Sequence, residues 1–214
     1  MAHARVRRTD EGSARLAAGI ATLGALVLVT TDIVGSLLAP GYGPIRDSIS
    51  DLAAGRLSWI QDTGLVAFAI GLLALAFGLR RVGEGPRGDP RLWSGGVVMV
   101  ALLAVVVAII ALHDEYGDRD RGGFVFHIEL VYTLGVLFGL ATLLLARGLF
   151  ARSRRMGAFD LAVAAAWIVG APIYFFVPPG WDGAFERGLA LLVLVWVLAM
   201  ARLVAGGRGR VGLT

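Results

Sequence analysis

The chain has 214 residues, 57% of them hydrophobic and 17% charged, with 20 basic and 16 acidic residues. A soluble domain carries about 25% charged residues, so this composition indicates a protein whose surface faces lipid. Every basic residue is arginine and cysteine is absent, which excludes Schiff-base lysines, a P-loop lysine, disulfides and thiol catalysis. Although basic chains often bind nucleic acid, these arginines lie in short segments between apolar blocks, so we expect no nucleic-acid partner.

Six apolar stretches are each long enough to cross a bilayer core of about 30 Å as a helix. They cover residues 16–38, 60–79, 93–112, 124–146, 159–177 and 185–204. The sequence therefore predicts an all-α polytopic membrane protein with one six-helix domain over 16–204. Residues 1–15 are expected to form a cytoplasmic segment, and 205–214 a disordered cytoplasmic tail.

The arginines predict the orientation of these helices. Fifteen of the 20 lie in the N-terminal segment, the second and fourth connections and the C-terminus, against five in the other connections. Because positive residues stay on the cytoplasmic side, we expect a protein of the cell membrane with both termini in the cytoplasm. The first, third and fifth connections are then external.

The first connection has the pattern of a short amphipathic helix. Pro44 suits a first helical position and Gly55 a helix end, and this spacing places Ile45, Ile49 and Leu52 on one face. The polar side chains would project from the rest of the helix, and they are Arg46, Asp47, Ser50 and Asp51.

Two further motifs have structural explanations. Ser58 and Gln61 form the S-x-x-Q pattern of a capping box at the start of the second span. Gly83, Gly85 and Gly88 spell the dinucleotide fingerprint G-x-G-x-x-G, which requires a preceding strand. Here the pattern follows a membrane helix, so we expect a flexible turn and no dinucleotide.

Acidic residues are concentrated on the predicted outer side, which holds eleven of the 16. Asp32 lies six residues before Leu38, about 9 Å below the helix end, and Glu129 lies about 8 Å below Phe124. An ionised carboxylate at this depth costs about 2–3 kcal/mol, so each should face the bundle interior and find a partner, or stay protonated. The alternatives to a functional role are an ordinary helix–helix hydrogen bond and a carboxylate that reaches up to the interface. Glu186 and Arg187 open the last span, and Arg187 is available to neutralise Asp32, Asp62 or Glu129.

His127, at the outer start of the fourth span, is the histidine best placed for chemistry. Its neighbours include the acidic loop that begins at His113 and Asp114, together with Glu129 on its own helix. The H-x-E spacing puts His127 and Glu129 on different helix faces. No cofactor is predicted, and a divalent metal would need ligands from several helices.

The segment from Gly41 to Leu52 resembles the hallmark of the bacterial and archaeal membrane family called domain of unknown function 998. That hallmark follows the first helix and reads roughly aromatic-x-Pro-x-Arg-Asp-x-Ile-Ser-x-Leu. His127, and the pair Glu186-Arg187, resemble further family positions at the starts of the fourth and last helices. Members often end the third helix in Phe-Pro-x-Asp, whereas this chain has Leu112-His113-Asp114. The resemblance implies a polytopic fold and a set of residues, and the family's activity is not established.

These observations favour an acid-rich polar site at the outer mouth of the bundle, which binds or transports a small ligand or cation. The alternatives are a membrane-embedded lipid hydrolase, using His127, Asp47 and Ser50 or a metal, and a structural or assembly subunit. The expected partner is the lipid bilayer, and no pattern specifies an oligomeric state. The candidate site consists of Asp32, Arg46, Asp47, Ser50, Asp51, Asp114, His127, Glu129, Glu186 and Arg187.

Overall fold

The computed structural model describes residues 2–54, 56–113 and 127–207, with those before residue 11 as backbone only. These ranges contain helices and turns and no strand. The helices are α1 (Ala2–Leu38), α2 (Ile49–Ala54), α3 (Ser58–Val82), α4 (Pro90–Leu112), α5 (His127–Arg152), α6 (Arg154–Ile173) with a 3₁₀ turn at Tyr174–Phe176, and α7 (Asp182–Gly206).

All of these except α2 are long and apolar enough to cross a membrane, α1 from Glu11 onward and α6 together with its 3₁₀ turn. The prediction of an all-α membrane bundle with six spans and a short helix after the first is therefore confirmed. Large apolar side chains also cover the outward surfaces, as lipid contact requires; Leu23, Ile70 and Leu143 are 61%, 54% and 47% exposed. The predicted tail beyond residue 207 and the residues before His127 lie outside the described ranges.

Consecutive long helices pack side by side from α1 through α3, α4 and α5 to α6, and α7 packs on α1, α3 and α6. The closest approach joins α1 to α3, where a Cβ at Gly24 would lie 2.5 Å from the Ala67 carbonyl oxygen. Ala21 and Ala25 are buried in the same region. Small residues allow this contact, as they do between membrane helices in general.

The connection between α3 and α4 contains the G-x-G-x-x-G pattern and ends in a helix cap. The Asp89 side chain accepts hydrogen bonds from the backbone N–H groups of Arg91 and Leu92, at 2.9 and 3.3 Å, and Pro90 occupies the first turn. Arg152 Nη2 donates to the carbonyl oxygens of Val82 and Gly83. Gly83 and Gly85 thus belong to a turn that closes against α5.

The short helix α2 is smaller than predicted. It spans Ile49–Ala54, whereas residues 44–47 form a turn in which the Arg46 and Asp47 N–H groups donate to the Gly43 carbonyl. Ile45 is therefore 59% exposed while Leu52 is 2% exposed, and the predicted common face of Ile45, Ile49 and Leu52 is wrong. The pattern misled because local hydrogen bonds to Gly43 and Asp47 compete with helix formation.

Candidate functional site

We call the end of the bundle that carries α2 the α2 end; it includes the C-terminus of α1 and the N-termini of α3 and α7. Arg187, in the second turn of α7, is its central cation. Its Nε and Nη2 atoms donate to the two carboxylate oxygens of Asp32 at 3.0 and 2.9 Å. All three of its nitrogens are engaged by the protein, the other acceptors being Pro44 O, Asp47 O, Gly183 O, Ser36 Oγ and Tyr42 Oη.

The Asp32–Arg187 pair explains how Asp32 is accommodated inside a membrane helix. The two side chains are 20% and 21% exposed, and a carboxylate buried to this degree needs a hydrogen-bonded partner. Of the three acids available to Arg187 from the sequence, the structure brings Asp32 to it.

The segment from Tyr42 to Ser48, which we call the Tyr42–Ser48 turn, follows α1 and is closed by the hydroxyl of Tyr42. This hydroxyl lies 2.7 Å from the Ser48 carbonyl oxygen and 3.1 Å from that of Asp47, and it accepts from Arg187 Nη2 at 2.7 Å. Burial raises the pKa of Tyr42, so the phenol remains a neutral donor at physiological pH.

Arg46 and Asp47 close this turn. The Asp47 carboxylate accepts from Arg46 Nε at 2.8 Å, from Arg46 Nη2 at 2.9 Å and from the Gly43 N–H at 2.7 Å. Together these donors, with Arg46 the strongest, lower the pKa of Asp47 to about 2. Both side chains therefore serve the turn, and the Arg46 side chain is 64% exposed.

The start of α2 is held by a capping box and by α7. The Asp51 N–H donates to Ser48 Oγ at 3.0 Å, and the Ser48 N–H donates to Asp51 Oδ2 at 2.8 Å, as in a reciprocal cap. Glu186 accepts from the Ile49 N–H at 2.6 Å and from Ser50 Oγ at 3.4 Å. Of the predicted site residues, Ser50 and Asp51 thus lie in the first turn of α2, and Glu186 of α7 binds that turn.

Directly below this network lies a cavity of about 910 Å³ between α1, α3, α4, α5, α6 and α7. Its polar groups come from Asp32, Ser50, Gln61, His127, Glu186 and Arg187. The remaining wall is apolar and aromatic, with Phe68, Tyr132, Phe138, Trp167, Phe175 and Phe176 among its residues. Five of the ten predicted site residues therefore line the cavity: Asp32, Ser50, His127, Glu186 and Arg187.

Gln61 is a cavity residue that sequence reasoning assigned a different role. The predicted capping box with Ser58 is wrong, because the residue at the cap position of α3 is Leu57, which makes no side-chain cap hydrogen bond. Instead Gln61 is fully buried, and its amide has no hydrogen-bond partner among the described residues. Its helical spacing from Leu65 and Phe68, which also line the cavity, is the signal that identifies its face.

Four predicted site residues that the structure describes do not line the cavity: Arg46, Asp47, Asp51 and Glu129. Glu129 was expected to face the bundle interior, but it lies in the first turn of the described α5 with its side chain exposed. Its position two residues after His127 turns it to another helix face. Asp114 lies outside the described residues. Within the described ranges, no three His, Asp or Glu side chains are grouped closely enough to hold a metal ion.

A second buried acid lies outside the predicted site. Asp160 of α6 is fully buried and its Oδ1 atom accepts from Trp196 Nε1 of α7 at 2.7 Å, while its Oδ2 atom has no partner among the described residues. Trp196 also contacts Phe138 edge to face. An acid six residues into an apolar helix was the available signal.

Comparison with protein-family models identifies the family of this chain. A family model described as a protein of unknown function, DUF998, matches residues 22–203. The chain belongs to the DUF998 family. No curated protein and no solved structure matches. The positions that carried the resemblance to this family, from Tyr42 to Leu52 and at Glu186-Arg187, are those that meet at the α2 end.

Proposed function

We propose that this DUF998 protein binds an amphipathic small molecule in the cavity, for transport or for sensing. The cavity carries this proposal. A volume of about 910 Å³ falls within the range of roughly 300–1,000 Å³ typical of pockets for drug-sized ligands. Apolar walls with a few polar groups at one end match a molecule with an apolar body and a polar head.

The location of the polar groups supports a fixed orientation of such a ligand. Asp32, Glu186 and Arg187 lie at the α2 end, whereas Phe138, Trp167 and Leu194 form the deeper wall. If both termini are cytoplasmic, as the arginine distribution predicts, the head group faces outward. An apolar tail would then extend toward the middle of the bilayer.

The contacts at the α2 end bear on the other candidate functions. A lipid hydrolase built on His127, Asp47 and Ser50 is not favoured, because both Asp47 carboxylate oxygens are already engaged by Arg46 and Gly43. For the alternative of a structural subunit, the relevant contacts are the bonds of Arg187 to the Tyr42–Ser48 turn, which hold that turn in place. A ligand-binding cavity nevertheless accounts for an apolar space of this size, which a purely structural subunit does not require.

Filling the cavity tests this proposal. Gly135 lines it, and a Cβ there meets no other atom within 4 Å, so Gly135→Phe should place its ring in the open space. The probe is a set of brominated undecyl amphiphiles with different heads, detected by quenching of tryptophan fluorescence. Trp59 and Trp181, which are exposed, are first replaced by Phe to remove quenching from the bulk micelle. Three tryptophans then remain, Trp93, Trp167 and Trp196, and Trp167 is the one that lines the cavity and that a probe bound there should quench.

We expect Gly135→Phe to weaken binding of whichever probe binds best by about tenfold or more, equivalent to about 1.4 kcal/mol. Gly19→Phe is the matched control, since Gly19 is exposed on α1 and a Cβ there meets nothing within 4 Å. Equal quenching in the parent, Gly135→Phe and Gly19→Phe proteins would show that the probes do not occupy the cavity, and the proposal would fail.

A further inference from the structure

The charges that line the cavity are unequal. Among the described residues of its wall, Asp32 and Glu186 are the acids and Arg187 is the arginine. Arg187 is bonded bidentately to Asp32, so these two charges offset one another. Glu186 is left without an equivalent partner and gives the polar end of the cavity an acidic character.

An anionic head group finds no free guanidinium donor at this end. Each nitrogen of Arg187 already donates to protein oxygens, at distances between 2.7 and 3.3 Å. A phosphate or carboxylate would have to displace these acceptors while also approaching Asp32 and Glu186. Because like charges repel strongly where water is scarce, such a ligand is disfavoured.

Glu186 retains the capacity to bind a cation. Its described contacts are one backbone N–H, from Ile49, and one hydroxyl, from Ser50. A carboxylate has about four acceptor positions, so these two donors do not saturate it. It therefore combines fixed orientation by α2 with free lone pairs.

The aromatic residues of the cavity favour the same class of ligand. Tyr132, in the second turn of α5, and Phe175, in the 3₁₀ turn after α6, lie toward the α2 end; their rings are in contact at 5.0 Å and both line the cavity. Aromatic faces attract organic cations, most strongly where the cation has lost water. Apolar groups around an ammonium would pack on the same rings.

From these observations we infer that the ligand is an amphipathic organic cation, with an ammonium head between Glu186 and the rings of Tyr132 and Phe175, and an apolar body against the deeper wall. This inference rests on the proposed function, because it names the ligand class of the same cavity. It assigns to Glu186 a direct contact with the ligand in addition to its contact with α2.

The test compares three probes that share one brominated undecyl chain and carry a trimethylammonium, hydroxyl or sulfonate head. Tryptophan quenching is measured in the protein that lacks Trp59 and Trp181. We expect the ammonium probe to bind about tenfold or more tightly than either of the others. In Glu186→Gln this preference should disappear, because the amide oxygen can still accept from Ile49 while the charge is lost. Ser50→Ala is the control, since it removes the other contact of Glu186 and leaves the charge.

A second variant keeps the inference testable if Glu186→Gln does not fold. Tyr132→Leu removes one aromatic face without touching Glu186, and it should weaken the ammonium probe several-fold and the hydroxyl probe little. Equal binding of all three probes, blocked by Gly135→Phe, would overturn the inference and leave the proposed function standing. Preference for the sulfonate probe would overturn it as well. Quenching that Gly135→Phe does not alter for any probe would overturn both.

Discussion

At the scale of single residues, one guanidinium group organises the α2 end. Arg187 joins α1 through Asp32 and Ser36, the Tyr42–Ser48 turn through three oxygens, and its own helix through Gly183. A planar group with five N–H donors can make such a set of bonds, whereas an ammonium group cannot. The exposed fraction of the Asp32–Arg187 pair, about a fifth, means that solvent screens it only in part.

Replacing Arg187 should destabilise the fold substantially. Arg187→Met leaves Asp32 without its partner, and removing one member of a buried pair costs about 3–5 kcal/mol; partial exposure of this pair favours the lower end. Arg187→Lys should restore less than half of the loss, because a lysine cannot reproduce the bidentate geometry. Thermal unfolding of the detergent-solubilised protein measures both effects.

The double variant Asp32→Asn with Arg187→Met provides the control. It removes the unpaired carboxylate, so it should be less destabilised than the two single changes added together. A melting temperature of Arg187→Lys equal to that of the parent protein would mean that a point charge suffices and that the planar contacts contribute little.

The sequence predicted part of this arrangement. The depth of Asp32 in α1 required a partner, because the cost of a carboxylate in hydrocarbon does not depend on topology. The sequence could not show which of Asp32, Asp62 and Glu129 is bound by Arg187, since that depends on the rotation of each helix about its axis. The burial of Gln61 was hidden for the same reason, although its spacing from Leu65 carried the information.

At the scale of elements, the Tyr42–Ser48 turn is docked on the N-terminus of α7. The Ala184 N–H donates to the Ile45 carbonyl oxygen at 2.9 Å, which satisfies one of the N–H groups left unpaired at a helix start. A Cβ at Gly183 would lie 2.6 Å from the Pro44 carbonyl oxygen and would also collide with that of Asp47. The turn and the helix therefore approach each other backbone to backbone.

Gly183→Ala should consequently disrupt the contact between the turn and α7. We expect a loss of about 1–3 kcal/mol, the usual cost of overpacking, because the atoms in the way belong to the backbone and cannot rotate aside. Urea or thermal unfolding of the purified protein measures this change.

Gly188→Ala, on the same helix, is the matched control. A Cβ there meets nothing within 4 Å, and alanine is the better helix former by up to about 1 kcal/mol, so stability should stay the same or rise. If both alanine variants unfolded alike, the tight packing of the turn against α7 would be disproved.

The elements themselves were more predictable than their contacts. Apolar blocks of about 20 residues predicted all six spans, since hydrocarbon requires that length whatever the packing. The helix α2 begins at Ile49, five residues after the predicted start at Pro44, because Ser48 and Asp51 form the helix cap there. A proline at a favourable position indicates where a helix can start. Here the bonds of the Asp47 side chain to Gly43 and Arg46 hold the residues after Pro44 in a turn instead.

At the scale of the whole molecule, the packing order of the helices leaves room for the cavity. The helices α4, α5 and α6 form one consecutive row and α7 lies mainly against α1 and α3, so the α2-end halves of α5, α6 and α7 face one another across the open space. Such a space cannot be predicted from apolar periodicity, because lipid-facing and cavity-facing side chains are both apolar. The relative positions of the helices alone distinguish them.

The side of the membrane on which the cavity ends remains a prediction from the arginines, and it can be measured directly. Because the chain has no cysteine, single cysteines report on topology without background. Ile45 and Pro86 are exposed in turns at opposite ends of the bundle. A membrane-impermeant maleimide applied to intact cells should label Ile45→Cys, and Pro86→Cys only after permeabilisation, since positive segments are retained inside.

The reverse labelling pattern would place the α2 end in the cytoplasm. Arg187, Glu186 and the Tyr42–Ser48 turn would then close the cavity toward the cell interior, and a ligand head bound there would come from the inner leaflet or the cytosol. With the expected pattern, the acidic end of the cavity instead faces outward. An amphipathic cation would then reach Glu186 from the outer leaflet.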